Sequence, residues 1–252
     1  MPIDKKTFCI APWYSVFIDQ KKRIAPCCKF KELQDKPIEQ YYKSEQLEQV
    51  RNDLLNGVKN KNCAKCWSDE ENGGDSLRLI SNRTIAHGKN LNIAKQIEDP
   101  QLDKILSFDI VLGNLCNLKC VMCGPECSSQ LLSEANTNPD IKSLYSKATN
   151  YEQKTYNWPK EREFMEWCNR HLSNAIHIKF TGGEPFIIPW IEEVLSKIPE
   201  AQKSKCILHF TSNLTVVNSE LFKHFHEFKE VWISISVEGI EQTFEYIRHG
   251  HS

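Results

Sequence analysis

Residues 113–130 read GNLCNLKCVMCGPECSSQ and place Cys116, Cys120 and Cys123 in the spacing C-x3-C-x2-C, with Cys127 out of step. Just before them, ILSFDIVLG (105–113) is a short, largely apolar run of the kind that forms a buried strand. Three more such runs follow, AIHIKFTGGEP (175–185), CILHFTSNL (206–214) and VWISISVEG (231–239). Helical segments at 190–198, 219–228 and 241–250 come after them. Strands alternating with helices make βα units, which require a parallel sheet with right-handed crossovers. The cysteine loop then leaves the C-terminal end of the first strand, where such folds carry their chemistry. The polar stretch 136–160 reads as an insertion near the strand ends.

Before residue 100 the pattern differs. YSVFID (14–19) and RIAPCC (23–28) flank a polar DQKK and predict a hairpin. Residues 44–57 predict a helix with Ser44 as N-cap, Leu47, Val50, Leu54 and Leu55 on one face, and Gly57 as the stop. Four cysteines here, Cys9, Cys27, Cys63 and Cys66, have the spacing C-x17-C-x35-C-x2-C. The expected organisation is a small α+β domain over 1–100 and an α/β domain over 101–252.

The chain has 252 residues and a net charge of -1, from 32 basic and 33 acidic residues, so nothing global draws it to nucleic acid or to an anionic membrane. Its N-terminal stretch lacks the apolar core of a secretory signal, and no run is long enough to span a bilayer, which predicts a cytoplasmic protein. In a reducing compartment, 11 cysteines are better explained as metal ligands than as disulfides. Three close thiolates can hold three irons of a cubane cluster and leave the fourth iron open, which distinguishes a catalytic metal site from a structural one.

C-x3-C-x2-C after a first strand, followed by GGEP (182–185) after a second, resembles the radical S-adenosylmethionine (SAM) superfamily. The resemblance implies a partial (βα) barrel, a 4Fe-4S cluster held by Cys116, Cys120 and Cys123, and SAM chelating the open iron. Gly182 and Gly183 would let the backbone approach the ligand, Glu184 would attract the SAM ammonium, and Pro185 would stiffen the turn. No Lys-Ser/Thr follows, so a phosphate cradle is disfavoured. Thr211 and Asn213 at the end of the third strand, and Ser236 and Glu238 at the end of the fourth, match positions that line the methionyl and ribose parts of SAM. Arg248 is a candidate partner for the SAM carboxylate. Met122 stands where the family usually has an aromatic residue near adenine, and its thioether can still cover a ring.

Cys9, Cys27, Cys63 and Cys66 resemble the ligands of an auxiliary-cluster module, the twitch domain, a relative of the SPASM domain that normally follows the core and here precedes it. Four thiolates would close a second 4Fe-4S cluster, and a four-cysteine zinc site uses the same residue types. Cys28 could replace Cys27. The implied activity is reductive cleavage of SAM to a 5'-deoxyadenosyl radical that abstracts hydrogen from a small-molecule or peptide substrate, with an electron donor such as flavodoxin or ferredoxin. The rival is a non-catalytic iron-sulfur or zinc protein for electron transfer or assembly. A closed-shell methyltransferase would be expected to carry a glycine-rich first turn instead of three cysteines.

Other candidates have structural readings. Cys127, Cys168 and Cys206 fall outside both spacings and read as core, and the histidines, including His177 and His209, form no motif. APWY (11–14) and Trp67 read as packing, and 57–67 as a solvated lysine-rich face. Four strands where the family has six, with the fourth left as an uncovered apolar edge, predict a C-terminally truncated barrel.

Overall fold

The computed structural model describes residues 6–86, 93–148, 156 and 158–250. Part of the expected insertion, 149–155 and 157, lies outside the described residues. The protein is mixed α/β and divides into two compact units, Met1–Asp109 with Asn174–Ile176, and Ile110–Ser173 with His177–Ser252. Among the described residues no helix is long and apolar enough to cross a membrane.

In the first unit β1 (Ser15–Ile18) pairs antiparallel with β2 (Ile24–Ala25), Phe17 opposite Ala25 and Ile18 opposite Ile24. The turn forms because the Asp19 carboxylate accepts from the backbone N–H of Lys21 at 2.9 Å and of Arg23 at 2.8 Å. β2 is shorter than its apolar run suggests because Pro26 has no N–H to extend the ladder. The helix Glu45–Leu55 is capped by Ser44, whose Oγ accepts from Leu47 N at 3.3 Å, and it stops before Gly57 at φ 78°. Its buried Val50 and Leu54 pack with Ala11, Ala25, Phe30 and Trp67. A second cluster joins Ile10, Trp13, Tyr14, Ile85, Leu106 and Ile176. APWY is itself a buried helical turn, Ala11–Tyr14. The helices Ala64–Glu71 and Leu77–Ala86 are among those the sequence did not announce, because neither carries a clean apolar stripe.

β3 (Ser107–Val111) spans the division between units. The second unit continues the sheet in the order β3, β5 (His177–Thr181), β6 (Ile207–Ser212), β7 (Glu230–Ile235), while the short β4 (Lys119–Cys120) pairs apart from it with β8 (Arg248–His249). β5, β6 and β7 are parallel, with Phe180 opposite Phe210 and Phe210 opposite Ile233. This arrangement is compatible with part of a βα barrel. Ile178, Phe180, Leu208 and Phe210 are fully buried on one face, where Phe186 and Phe225 pack against Phe210 at centroid distances of 5.2 and 5.7 Å. Each such side chain stabilises the fold by about 1.5–3 kcal/mol. Cys168 and Cys206 belong to the same interior.

Beyond β7 the expected helix over 241–250 is shorter, Glu241–Ile247, because the chain turns into β8. Gly250, at φ 107°, then passes close to the Asn117 carbonyl. On β7, Trp232 and Ile235 are exposed.

Candidate metal centre

The loop after β3 is built to hold three thiols in one place. Gly113 adopts φ 117° as the strand ends. Asn114, buried, donates to the Pro125 carbonyl at 2.9 Å and so folds the loop back on itself. Ser129 Oγ accepts from Cys116 N and donates to the Cys116 carbonyl, both at 3.1 Å. Ser128 Oγ donates to the Leu118 carbonyl and accepts from Leu131 N, capping the helix Ser129–Thr137 that follows. Cys120 sits in β4 opposite Arg248 of β8, and Val121 N donates to the Ile247 carbonyl at 2.9 Å.

Cys116, Cys120 and Cys123 line a cavity of about 210 Å³. Cys127 lines it too, because a turn in which its N–H donates to the Gly124 carbonyl returns the chain to the same wall. The sequence reading as core therefore missed the place of Cys127. Burial pushes the Cys116 thiol up and the Cys127 thiol up to about 11. Cys120 is lowered to about 7, first by a hydrogen bond from the Cys123 thiol and then by Arg248, whose Nη1 donates to Cys120 Sγ at 3.5 Å. Cys123 is raised, chiefly as the donor in that bond.

The strand ends also contribute to the lining. Gly182 and Gly183 line the cavity with φ of 83° and 47°. A Cβ on Gly183 would overlap the Leu115 carbonyl, and one on Gly182 would overlap the Val111 side chain, so only glycine fits this close approach. Thr211, Asn213, Ser236, Met122 and Arg248 complete the lining.

Glu184, Pro185 and Glu238 are absent from this lining. Glu184 is fully buried, and its carboxyl group accepts from Phe186 N at 3.0 Å, Ser212 Oγ at 2.7 Å and Asn213 N at 2.7 Å. It knots the β5 turn to the end of β6 and is absent from the cavity lining. Pro185 starts a 3-10 turn and is also buried. Glu238 is taken up by Arg248, which donates to both its carboxylate oxygens. Arg248 itself is buried in β8, beyond the end of the helix Glu241–Ile247. Asn117, between the cysteines, accepts from Asn213 Nδ2 at 3.1 Å and donates to Thr215 Oγ1 at 2.8 Å, a tie the sequence did not reveal.

In the first unit Cys9, Cys27, Cys63 and Cys66 line a single cavity with Phe30 and Arg78. Cys63 and Cys66 flank the start of the helix Ala64–Glu71, and Cys27 follows β2. Cys28, the alternative to Cys27, is exposed and absent from that lining. Burial pushes Cys9 and Cys63 up to about 12 and raises Cys27, while Arg78 pulls Cys9 and Cys63 back. Trp67 packs in the same apolar cluster as Cys9, its Nε1 donating to the Asn60 carbonyl at 3.0 Å.

The family model of the Radical SAM superfamily matches residues 110–252, more than half of the chain, and the protein belongs to that superfamily. No curated protein matches the chain. Membership implies a 4Fe-4S cluster and SAM, and the second unit fits both. Three thiols line a cavity together with a glycine turn packed so closely on Val111 and the Leu115 carbonyl that neither glycine can carry a Cβ. Among the described residues no group of three or more His, Cys, Asp or Glu is arranged to hold a single metal ion.

Proposed function

We propose that the protein is a radical SAM enzyme that holds a catalytic 4Fe-4S cluster on Cys116, Cys120 and Cys123 and cleaves SAM reductively. The observation that supports this reading is that the three thiols and the Gly182–Gly183 turn line one cavity. When bound, cluster and SAM supply a 5'-deoxyadenosyl radical able to abstract hydrogen from an unactivated carbon. The chain's part is to bind and orient. The glycine turn offers backbone at close range to the methionyl amine. Thr211, Asn213 and Ser236 offer hydroxyl and amide groups to the SAM polar atoms, and Met122 offers a thioether to the adenine face. Arg248 supplies a cation to a carboxylate, held in place by Glu238.

Cys9, Cys27, Cys63 and Cys66 hold a second 4Fe-4S cluster in a twitch-like domain over 1–100, with the core over 101–252. Their convergence on one buried cavity, and the exposure of Cys28, support this ligand set. Four thiolates leave no open position, which suits one-electron transfer. The reaction is then a two-electron oxidation of a small molecule or a modification of a peptide, in the cytoplasm, with reducing equivalents from a flavodoxin or ferredoxin. Iron and sulfide analysis with electron paramagnetic resonance, before and after SAM, tests the reading. A SAM-dependent change in one of two cluster signals is expected, and identical signals would favour a plain electron carrier.

A further inference from the structure

The helix Leu77–Ala86 does more than cover the four-cysteine cavity. Arg78 is only 5% exposed, and its Nη1 donates to the Phe8 carbonyl at 2.8 Å. One turn on, Asn82 Nδ2 donates to the same carbonyl at 2.9 Å, and Asn82 Oδ1 accepts from Ile10 N at 2.8 Å. Both neighbours of Cys9 are thus clamped by one helix. The guanidinium is fixed from its other side by Glu70, which receives Nε at 2.9 Å and Nη2 at 2.5 Å, and it stacks 5.1 Å from the Trp67 ring centroid. Glu70 also accepts from Ser76 Oγ. An arginine carries five N–H groups, so one holding Glu70 and Phe8 can still donate to a sulfur.

We propose that Arg78 is the positioning residue of the second centre, holding Cys9 in the ligand set and raising the centre's reduction potential by placing a fixed cation at its wall. The inference rests on the four-thiolate reading given above. A reduced cluster carries one more negative charge than an oxidised one, so a nearby cation favours the reduced form, and hydrogen bonds to sulfur act in the same direction. Glu70 opposes the effect electrostatically while fixing the geometry. The pair thereby biases the centre toward accepting an electron.

The test uses the full chain carrying Cys116→Ala, Cys120→Ala and Cys123→Ala, reconstituted anaerobically so that only the second centre contributes. Iron, zinc and sulfide are counted, and the midpoint potential is followed by electron paramagnetic resonance. Arg78→Met is expected to shift the potential to more negative values, Arg78→Lys to lie between Met and the parent, and Glu70→Gln to shift it to more positive values. Opposite signs from the two partners are what a purely structural role would not give. Unchanged potentials, or shifts of one sign, in cluster-bearing variants would overturn the proposal. Should Arg78→Met bind no iron, Glu70→Gln and Arg78→Lys decide the sign. Zinc, or no iron, in the chain that keeps Arg78 would overturn the four-thiolate cluster reading and the proposal with it.

Discussion

Arg248 stands opposite Cys120 in the β4–β8 ladder, and its guanidinium reaches the Cys120 sulfur at 3.5 Å while both Glu238 oxygens hold it from behind. A cation thus lies against the central thiol of the loop. Arg248→Met should keep the cluster, because no backbone bond of the ladder is lost, and should weaken SAM binding by roughly 10- to 100-fold, the loss of a charged hydrogen bond of about 1.5–3 kcal/mol. Equilibrium dialysis with labelled SAM checks this, and an unchanged affinity would remove Arg248 from the binding site.

The two sets of cysteines should separate. Cys116→Ala, Cys120→Ala or Cys123→Ala should abolish formation of 5'-deoxyadenosine from SAM under dithionite, since each removes a ligand of the cluster that reduces SAM. The double variant Cys63→Ala/Cys66→Ala should leave that uncoupled cleavage and remove substrate turnover. Equal loss from both sets in folded, reconstituted protein would contradict the division of labour.

Gly183→Ala should disrupt the site in spite of its small size. The residue lies at φ 47°, and the added methyl would overlap the Leu115 carbonyl, backbone that cannot swing aside. SAM binding is expected to fall more than 10-fold, together with about 1–3 kcal/mol of stability. Urea unfolding and SAM titration measure the two effects separately.

Glu184 accepts from three buried donors, so Glu184→Ala should cost about 2–5 kcal/mol by stranding Asn213 N–H, Phe186 N–H and the Ser212 hydroxyl. Glu184→Gln retains one acceptor oxygen and should cost less. A contact with SAM alone would instead lower affinity and leave urea stability intact.

His177 and His209 give the second unit an acid-side weakness. His177 Nε2 and His209 Nδ1 are 3.4 Å apart, His209 Nε2 meets Ser234 Oγ at 2.9 Å, and Trp232 packs on both rings. Burial first, then for His177 the charge of His209 and for both that of Lys179, lowers each from 6.5 to about 4. The unfolded chain therefore binds more protons between those limits, and stability is present above pH 6.5 and is lost as pH falls toward 4. Urea midpoints at pH 7 and pH 5 should differ in the parent and converge in His177→Gln/His209→Gln. A parent midpoint unchanged over this range would show that the pair is not buried neutral.

The sheet was legible because β3, β5 and β6 are apolar runs with alternate residues buried, and the glycine turn because two adjacent glycines after a strand have few other uses. The Ser44 cap and the Asp19 turn were equally local signals. What escaped reading depends on distance along the chain. Nothing near Glu184 announces that Ser212 and Asn213 will supply its donors. Arg78 and Asn82 carry no local signal, because their partners at Phe8 and Ile10 lie some seventy positions earlier in the chain. Cys127 escaped because a turn, and not a cysteine spacing, brings it to the cavity.

The pairing of Cys120 with Arg248 also sets a timetable, since the two residues are 128 positions apart. At about 5–20 residues per second the ribosome needs roughly 6–26 seconds to make the stretch between them. Through that interval the three cysteines are already synthesised while the strand that pins their loop is not. Iron delivered early would meet a loose tripeptide-like ligand set exposed to oxygen and to competing metals. The assembly machinery should therefore act on released chains, and pulse-labelled nascent chains stalled before residue 248 should carry no cluster at this loop.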